Sequence, residues 1–147
     1  RDSHIGTYGV VILILCFALR LGLLVSAAIV DQFVISFLVM AVASRAAMPV
    51  VMCLLPPARD NGLGKSAGKP GWLSVAGAIV IDVGLFFLLA GPMVTAAILF
   101  AAMLAIILVA LLAKWQIGGQ TGDVLGATQL TTELFVGIAL ISAMGVA

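Results

Sequence analysis

Three short polar segments of this chain carry the residue types that handle metal–phosphate chemistry. The first reads Arg1-Asp2-Ser3-His4-Ile5-Gly6-Thr7-Tyr8-Gly9. A carboxylate beside a helix start, with glycines that let backbone approach a ligand, suits Mg²⁺, which keeps substrate phosphates among its ligands. The same segment also reads as a solvated tail capping a helix. The second reads Ala58-Arg59-Asp60-Asn61-Gly62-Leu63-Gly64-Lys65-Ser66. Backbone N–H groups at Gly62 and Gly64, together with Lys65, could cradle a phosphate. It lacks the spacer of a Walker A loop, and a flexible basic loop would look the same. The third reads Gly118-Gly119-Gln120-Thr121-Gly122-Asp123-Val124-Leu125-Gly126-Ala127. Asp123 there could be a plain N-cap, and Gly122-xxx-Gly126 a helix-packing step. Capping alone does not call for so many glycines, because each costs chain entropy. A bulky ligand or a second helix coming close does.

Four more ionisable residues lie inside apolar runs: Arg20, Arg45, Asp82 and Glu133. Charges within a membrane span are expensive and are usually paired or functional. Arg20, Arg45 and Asp82 share a depth of roughly 17 Å from the same end of their runs, at 1.5 Å per residue. That shared depth predicts that Asp82 pairs with Arg20 or Arg45; the alternative is that each lines a separate wet cavity. Glu133, with Gln129 one turn earlier, reads equally as a metal ligand, a general base or the partner of an arginine. His4 is the one histidine, which makes a poor zinc signal and a weak case for a general base. Cys16 and Cys53 sit in apolar runs and read as inert thiols.

The elements that must position these residues are membrane helices. Hydrophobic residues make up 64% of the 147-residue chain and charged ones 9%, and mean hydropathy is +1.33. A soluble domain has about 25% charged residues; seven Lys/Arg and six Asp/Glu cannot cover a water-facing surface of this size. The apolar runs are continuous rather than alternating, which excludes barrel strands. Five runs approach the roughly 20 residues needed to span a bilayer: 8–29, 33–55, 72–90, 93–113 and 124–144. The expected fold is all-α, a polytopic transmembrane helix bundle of about five spans, in a single membrane domain over residues 1–147.

Gly91-Pro92 marks the turn between the third and fourth runs. The long loop 56–71 holds Arg59, Lys65 and Lys69, so the positive-inside rule puts it in the cytoplasm. Alternation then puts the N-terminus and loop 114–123 there too, and all three polar segments fall on one face. Such asymmetry suggests a binding or active site at the cytoplasmic surface.

Taken together, the three segments resemble the cobalamin synthases (adenosylcobinamide-GDP ribazoletransferases). Members carry Arg-Asp-Ser-x-x-Gly-Thr-x-Gly leading into a helix, as at 1–9 here. An Arg in the next helix and an Ala-Arg-x-x-Gly-Leu-Gly loop follow, as at Arg45 and 58–64. Gly-Gly-x-Thr-Gly-Asp-x-Leu-Gly-Ala then precedes a Glu-bearing helix, as at 118–127 and Glu133.

The resemblance implies a transferase of the bacterial cytoplasmic (inner) membrane. It would join adenosylcobinamide-GDP to α-ribazole or its 5′-phosphate, release GMP, and use Mg²⁺. By the same resemblance Asp2 and Asp123 hold Mg²⁺, and Asp2, Asp123 and Glu133 are the catalytic candidates. Arg1, Ser3, Arg59, Gly62, Gly64, Lys65, Gln120 and Thr121 would contact substrate, with Arg59 and Lys65 neutralising the diphosphate. The resemblance also implies an Asp-rich motif upstream, which this chain does not carry. The chain is therefore expected to be the C-terminal portion of a longer synthase and inactive alone. The partners implied are the two substrates and the bilayer, with no nucleic acid; a homo-oligomer stays open. Two other readings stand beside this one. A small transporter or channel subunit would use the charges within the spans, but should carry motifs on both faces. An enzyme like the CDP-alcohol phosphotransferases would do analogous chemistry.

Overall fold

The computed structural model describes residues 6–58 and 68–145. Among them are four helices: α1 (Thr7–Ile29), α2 (Phe33–Leu54), α3 (Trp72–Gln116) and α4 (Gly122–Ala143). All four are long and apolar enough to cross a membrane. The chain is thus an all-helical, multi-pass membrane protein.

The turn from α1 to α2 is as tight as the sequence suggests. Asp31 takes a left-handed conformation (φ 57°), which Asp tolerates better than most residues. The Gln32 N–H then donates to the Ala27 carbonyl at 2.9 Å. Within α2, Pro49 brings no N–H, so the Arg45 carbonyl lacks its usual helical donor.

The two expected spans 72–90 and 93–113 appear as one helical stretch, α3, broken at Gly91 (φ 78°, ψ 171°) next to Pro92. Only glycine adopts those angles readily. The Thr95 hydroxyl donates to the Gly91 carbonyl at 2.7 Å, a contact within the first turn after the break. Were α3 straight, Ile79 and Ile107 would stand about 42 Å apart. Both instead line one cavity of about 430 Å³, along with the pairs Asp82 and Met103, and Phe86 and Leu99. The limbs 72–90 and 92–116 therefore fold back on each other. Five membrane-length segments result, four in name.

α4 packs against all three other helices. It is the least apolar of the four (mean hydropathy 1.6) and the most buried, whereas α1 is apolar (2.6) and mostly exposed. That inversion is expected in lipid, where apolar side chains gain little by hiding and polar ones must find partners. Gly137 sets the closest approach: a Cβ there would lie 2.9 Å from both Leu23 Cδ1 and Met40 Cε. Around it Val39, Val136, Leu140 and Ile98 are fully enclosed.

The pairings fix direction. Arg20 meets Glu133 and Leu23 meets Gly137, so α1 and α4 run parallel. Met40 meets Gly137 and Ser44 meets Glu133, so α2 runs antiparallel to them. The start of α1, the end of α2, both ends of the α3 hairpin and the start of α4 consequently share one end of the bundle. Gly91 lies at the other.

Candidate functional site at one end of the bundle

At the shared end the two inter-helix connections join. The Ala58 N–H donates to the Gln120 carbonyl at 2.9 Å, and the Gln120 N–H donates to the Pro56 carbonyl at 2.8 Å. Together they form a parallel bridge between Pro57 and Gln120. Gly119 makes this contact feasible, since any Cβ there would overlap the Pro56 carbonyl and lie 3.0 Å from Ala58 N. Gly118, at φ 80°, supplies the left-handed turn after α3. Gly122 and Gly126 behave differently: a Cβ at either meets nothing within 4 Å. The alternative of a helix-packing step at Gly122-xxx-Gly126 is therefore not seen among the described residues, which leave space at both glycines.

The helix start removes the plain N-cap alternative for Asp123. Thr121 is the N-cap, its Oγ1 accepting from the Val124 N–H at 3.3 Å. Asp123 sits exposed in the first turn of α4, where the helix dipole favours a negative charge. Thr121, expected to touch substrate, thus has a structural role in hand. Gln120 is 3% exposed. Its Oε1 has no hydrogen-bond partner among the described residues, and it lines a cavity of about 480 Å³ together with Lys69.

Deeper along the same helix face lies a second polar centre. Arg20 Nε stands 2.9 Å from Glu133 Oε2, with Glu133 only 5% exposed. The Nε–H does not point along this contact, so the attraction is ionic rather than a directed hydrogen bond. The Ser44 hydroxyl donates to Glu133 Oε1 at 3.2 Å. Of the three roles open to Glu133, partner of an arginine is the one the geometry displays. The expected pairing of Asp82 with Arg20 or Arg45 does not form. Asp82 lines the otherwise apolar cavity between α2 and the α3 limbs, while Arg20 and Arg45 line a different one of about 600 Å³ between α1, α2 and α4. Equal depth put the three at one level, but their helices turn them to different sides.

Arg1, Asp2, Ser3, His4, Arg59, Gly62, Gly64 and Lys65 lie outside the described residues. Their neighbours are placed: α1 begins at Thr7, and loop 59–67 springs from Ala58 at the bridge. The second and third polar segments are thus anchored at the end where the first enters α1.

The profile of the family described as Cobalamin-5-phosphate synthase matches residues 1–141. The chain belongs to that family. It is 45% identical over 138 residues to the adenosylcobinamide-GDP ribazoletransferase of Bradyrhizobium diazoefficiens, covering 92% of this chain and 52% of that protein. It is 43% identical over 146 residues to the protein of the same name from Rhizobium meliloti, covering 92% and 55%. The Brucella ovis protein of that name is 35% identical over 157 residues, covering 98% and 58%. The chain therefore spans about half the length of the curated relatives it matches. No solved structure matches it.

Within this cobalamin synthase frame, Asp123 suits a divalent cation in kind: an exposed hard-oxygen donor at a helix start. Mg²⁺ commonly takes one or two protein carboxylates and completes its shell with water and substrate phosphates. Among the described residues no group of three or more His, Cys, Asp or Glu side chains gathers around a point. The signal that sequence reading missed is the tie between 56–58 and Gln120. Its only trace was an unexplained surplus of glycine.

Proposed function

We propose that this chain is the membrane-embedded catalytic portion of an adenosylcobinamide-GDP ribazoletransferase. The reaction joins adenosylcobinamide-GDP to α-ribazole or its 5′-phosphate and releases GMP. The observation that carries the reading is the Gly119 bridge, which ties residues 56–58 to Gln120, three residues before Asp123, at the end where α1 also begins. Splitting a diphosphate calls for positioning and charge neutralisation more than for covalent chemistry. An exposed carboxylate in the first turn of α4, just beyond the residues that tie the two connections together, fits such chemistry.

Each group then has a task. Asp123, with Asp2 from the segment before α1, would hold Mg²⁺, which when bound neutralises charge on the diphosphate. Arg59 and Lys65 would draw the remaining phosphate charge. Gly122 and Gly126 leave room for large ligands. The positive-inside rule puts this end in the bacterial cytoplasm, where nucleotide substrates are found.

The deciding experiment is a transferase assay in liposomes with adenosylcobinamide-GDP, α-ribazole 5′-phosphate and Mg²⁺. It compares this chain, the complete protein, and the complete protein carrying Asp123→Asn. Product and GMP from the complete protein, lost on Asp123→Asn, support the reading. A folded complete protein yielding neither product overturns it.

A further inference from the structure

The cavity between α1, α2 and α4 holds an unbalanced charge. Arg20 and Arg45 both line it, and Glu133 is the one carboxylate on its described wall. Glu133 is committed to Arg20 and Ser44. Arg45 reaches no carboxylate among the described residues; its Nη1 donates to the Ala41 carbonyl at 3.1 Å. Nine residues from the end of α2, it stands about 14 Å into the span. An unneutralised guanidinium at that depth is costly, and one backbone carbonyl does not neutralise it.

The cavity has the shape of a ligand site. At about 600 Å³ it falls in the range of small-molecule pockets and is far smaller than a corrinoid. Its lining offers the fork of Arg45 and the amide of Gln129, together with the apolar side chains of Phe37 and Leu130. Gly126 also lines it, and a Cβ added there would meet no described neighbour within 4 Å. Asp123 follows on the same helix face, three residues nearer the end. An arginine fork recognises phosphate oxygens in pairs, and an aromatic wall suits a flat apolar ring.

We propose that this cavity binds a phosphate monoester attached to an apolar ring, with Arg45 as counter-ion and the ion pair of Arg20 and Glu133 as its rigid floor. The proposal rests on the transferase reading and deepens it. The ligand is the acceptor, and the phosphate held by Arg45 is one that takes no part in the transfer. Arg45 therefore distinguishes α-ribazole 5′-phosphate from α-ribazole.

The test uses the complete protein in phosphatidylcholine vesicles, with KM measured for both acceptors and binding of α-ribazole 5′-phosphate followed by phosphorus NMR. Arg45→Gln should raise KM and the binding midpoint at least tenfold for the phosphorylated acceptor, yet shift KM for α-ribazole less than twofold. Arg45→Lys should recover part of the loss. Gly126→Leu, whose Cβ meets no described neighbour within 4 Å, should weaken both acceptors by filling the cavity. Equal effects of Arg45→Gln on the two acceptors overturn the proposal. So does an effect seen only when phosphatidylglycerol is added, which would assign Arg45 to a lipid headgroup. A drop in thermal stability with both KM values unchanged also overturns it, giving Arg45 a protein carboxylate as partner. If no product forms with either acceptor, the transferase reading fails. The binding titration still decides the cavity: saturable binding weakened by Arg45→Gln supports it, and no binding refutes it.

Discussion

Arg20 on the first helix and Glu133 on the last are ion partners 2.9 Å apart, with the whole remainder of the bundle between them in sequence. Glu133 is nearly enclosed, so removing its charge leaves Arg20 unneutralised within the span. Breaking such a buried pair typically costs about 3 kcal/mol or more. Glu133→Gln should lower stability by about that amount, and Arg20→Gln added to it should cost much less than the sum of the two singles. Asp82→Asn should be additive with Arg20→Gln. Thermal unfolding in detergent measures the three single and two double variants, and additivity of the Arg20 and Glu133 variants would refute the pairing.

Gly119 and Gly126 should respond oppositely to the same substitution. Gly119→Ala forces a methyl group into the Pro56 carbonyl, so the bridge must part. Activity of the complete protein should fall more than tenfold. Gly126→Ala meets nothing and should stabilise α4 by up to about 1 kcal/mol through helix propensity. Unfolding midpoints and transferase rates, taken together, separate the two.

Gly137 should tolerate enlargement less the larger the side chain. Its Cβ position is 2.9 Å from Leu23 Cδ1 and Met40 Cε. Both neighbours are flexible at their ends, so Gly137→Ala should cost only about 1 kcal/mol, and Gly137→Leu about 3 or more as α1 and α2 are pushed off. A Gly137→Leu protein as stable as the parent would sink this account of the core.

Asp123→Asn keeps the shape of the first turn but gives up its favourable charge, worth about 0.5 kcal/mol at an exposed helix start. Stability should barely move. Activity of the complete protein should fall at least a hundredfold, and the Mg²⁺ concentration for half-maximal rate should rise in whatever activity remains. Chelation should abolish the parent's activity and added Mg²⁺ restore it. An unchanged Mg²⁺ requirement in Asp123→Asn would remove Asp123 from the metal site.

Much of the architecture was legible in the sequence because membrane spans declare themselves. Continuous apolar runs gave the helices to within a few residues, and Gly91-Pro92 gave the reversal. The family was legible in three polar motifs whose order and spacing few unrelated chains would share. Side-chain partnership was not. Depth along a helix follows from counting residues, but azimuth depends on how each helix is rotated in the bundle. Asp82 and Arg20 share a level yet belong to different cavities. Nor does composition tell a glycine that must be bare to touch, like Gly119, from one that leaves a gap, like Gly126.

The placing of Arg20's partner on the final helix bears on how the protein is made. Synthesis runs from the N-terminus, so α1 enters the bilayer while Glu133 is still more than a hundred residues from being translated. During that interval Arg20 has no counter-charge from α4. An arginine at mid-helix opposes insertion by about 2.5–3.5 kcal/mol, a cost that the strong hydropathy of α1 (2.6) offsets. The last helix is the weakest inserter of the four, with a mean hydropathy of 1.6 and an acidic residue at its middle. It arrives to find a waiting cation, so the charge that hindered the first helix becomes the docking point that draws in the last.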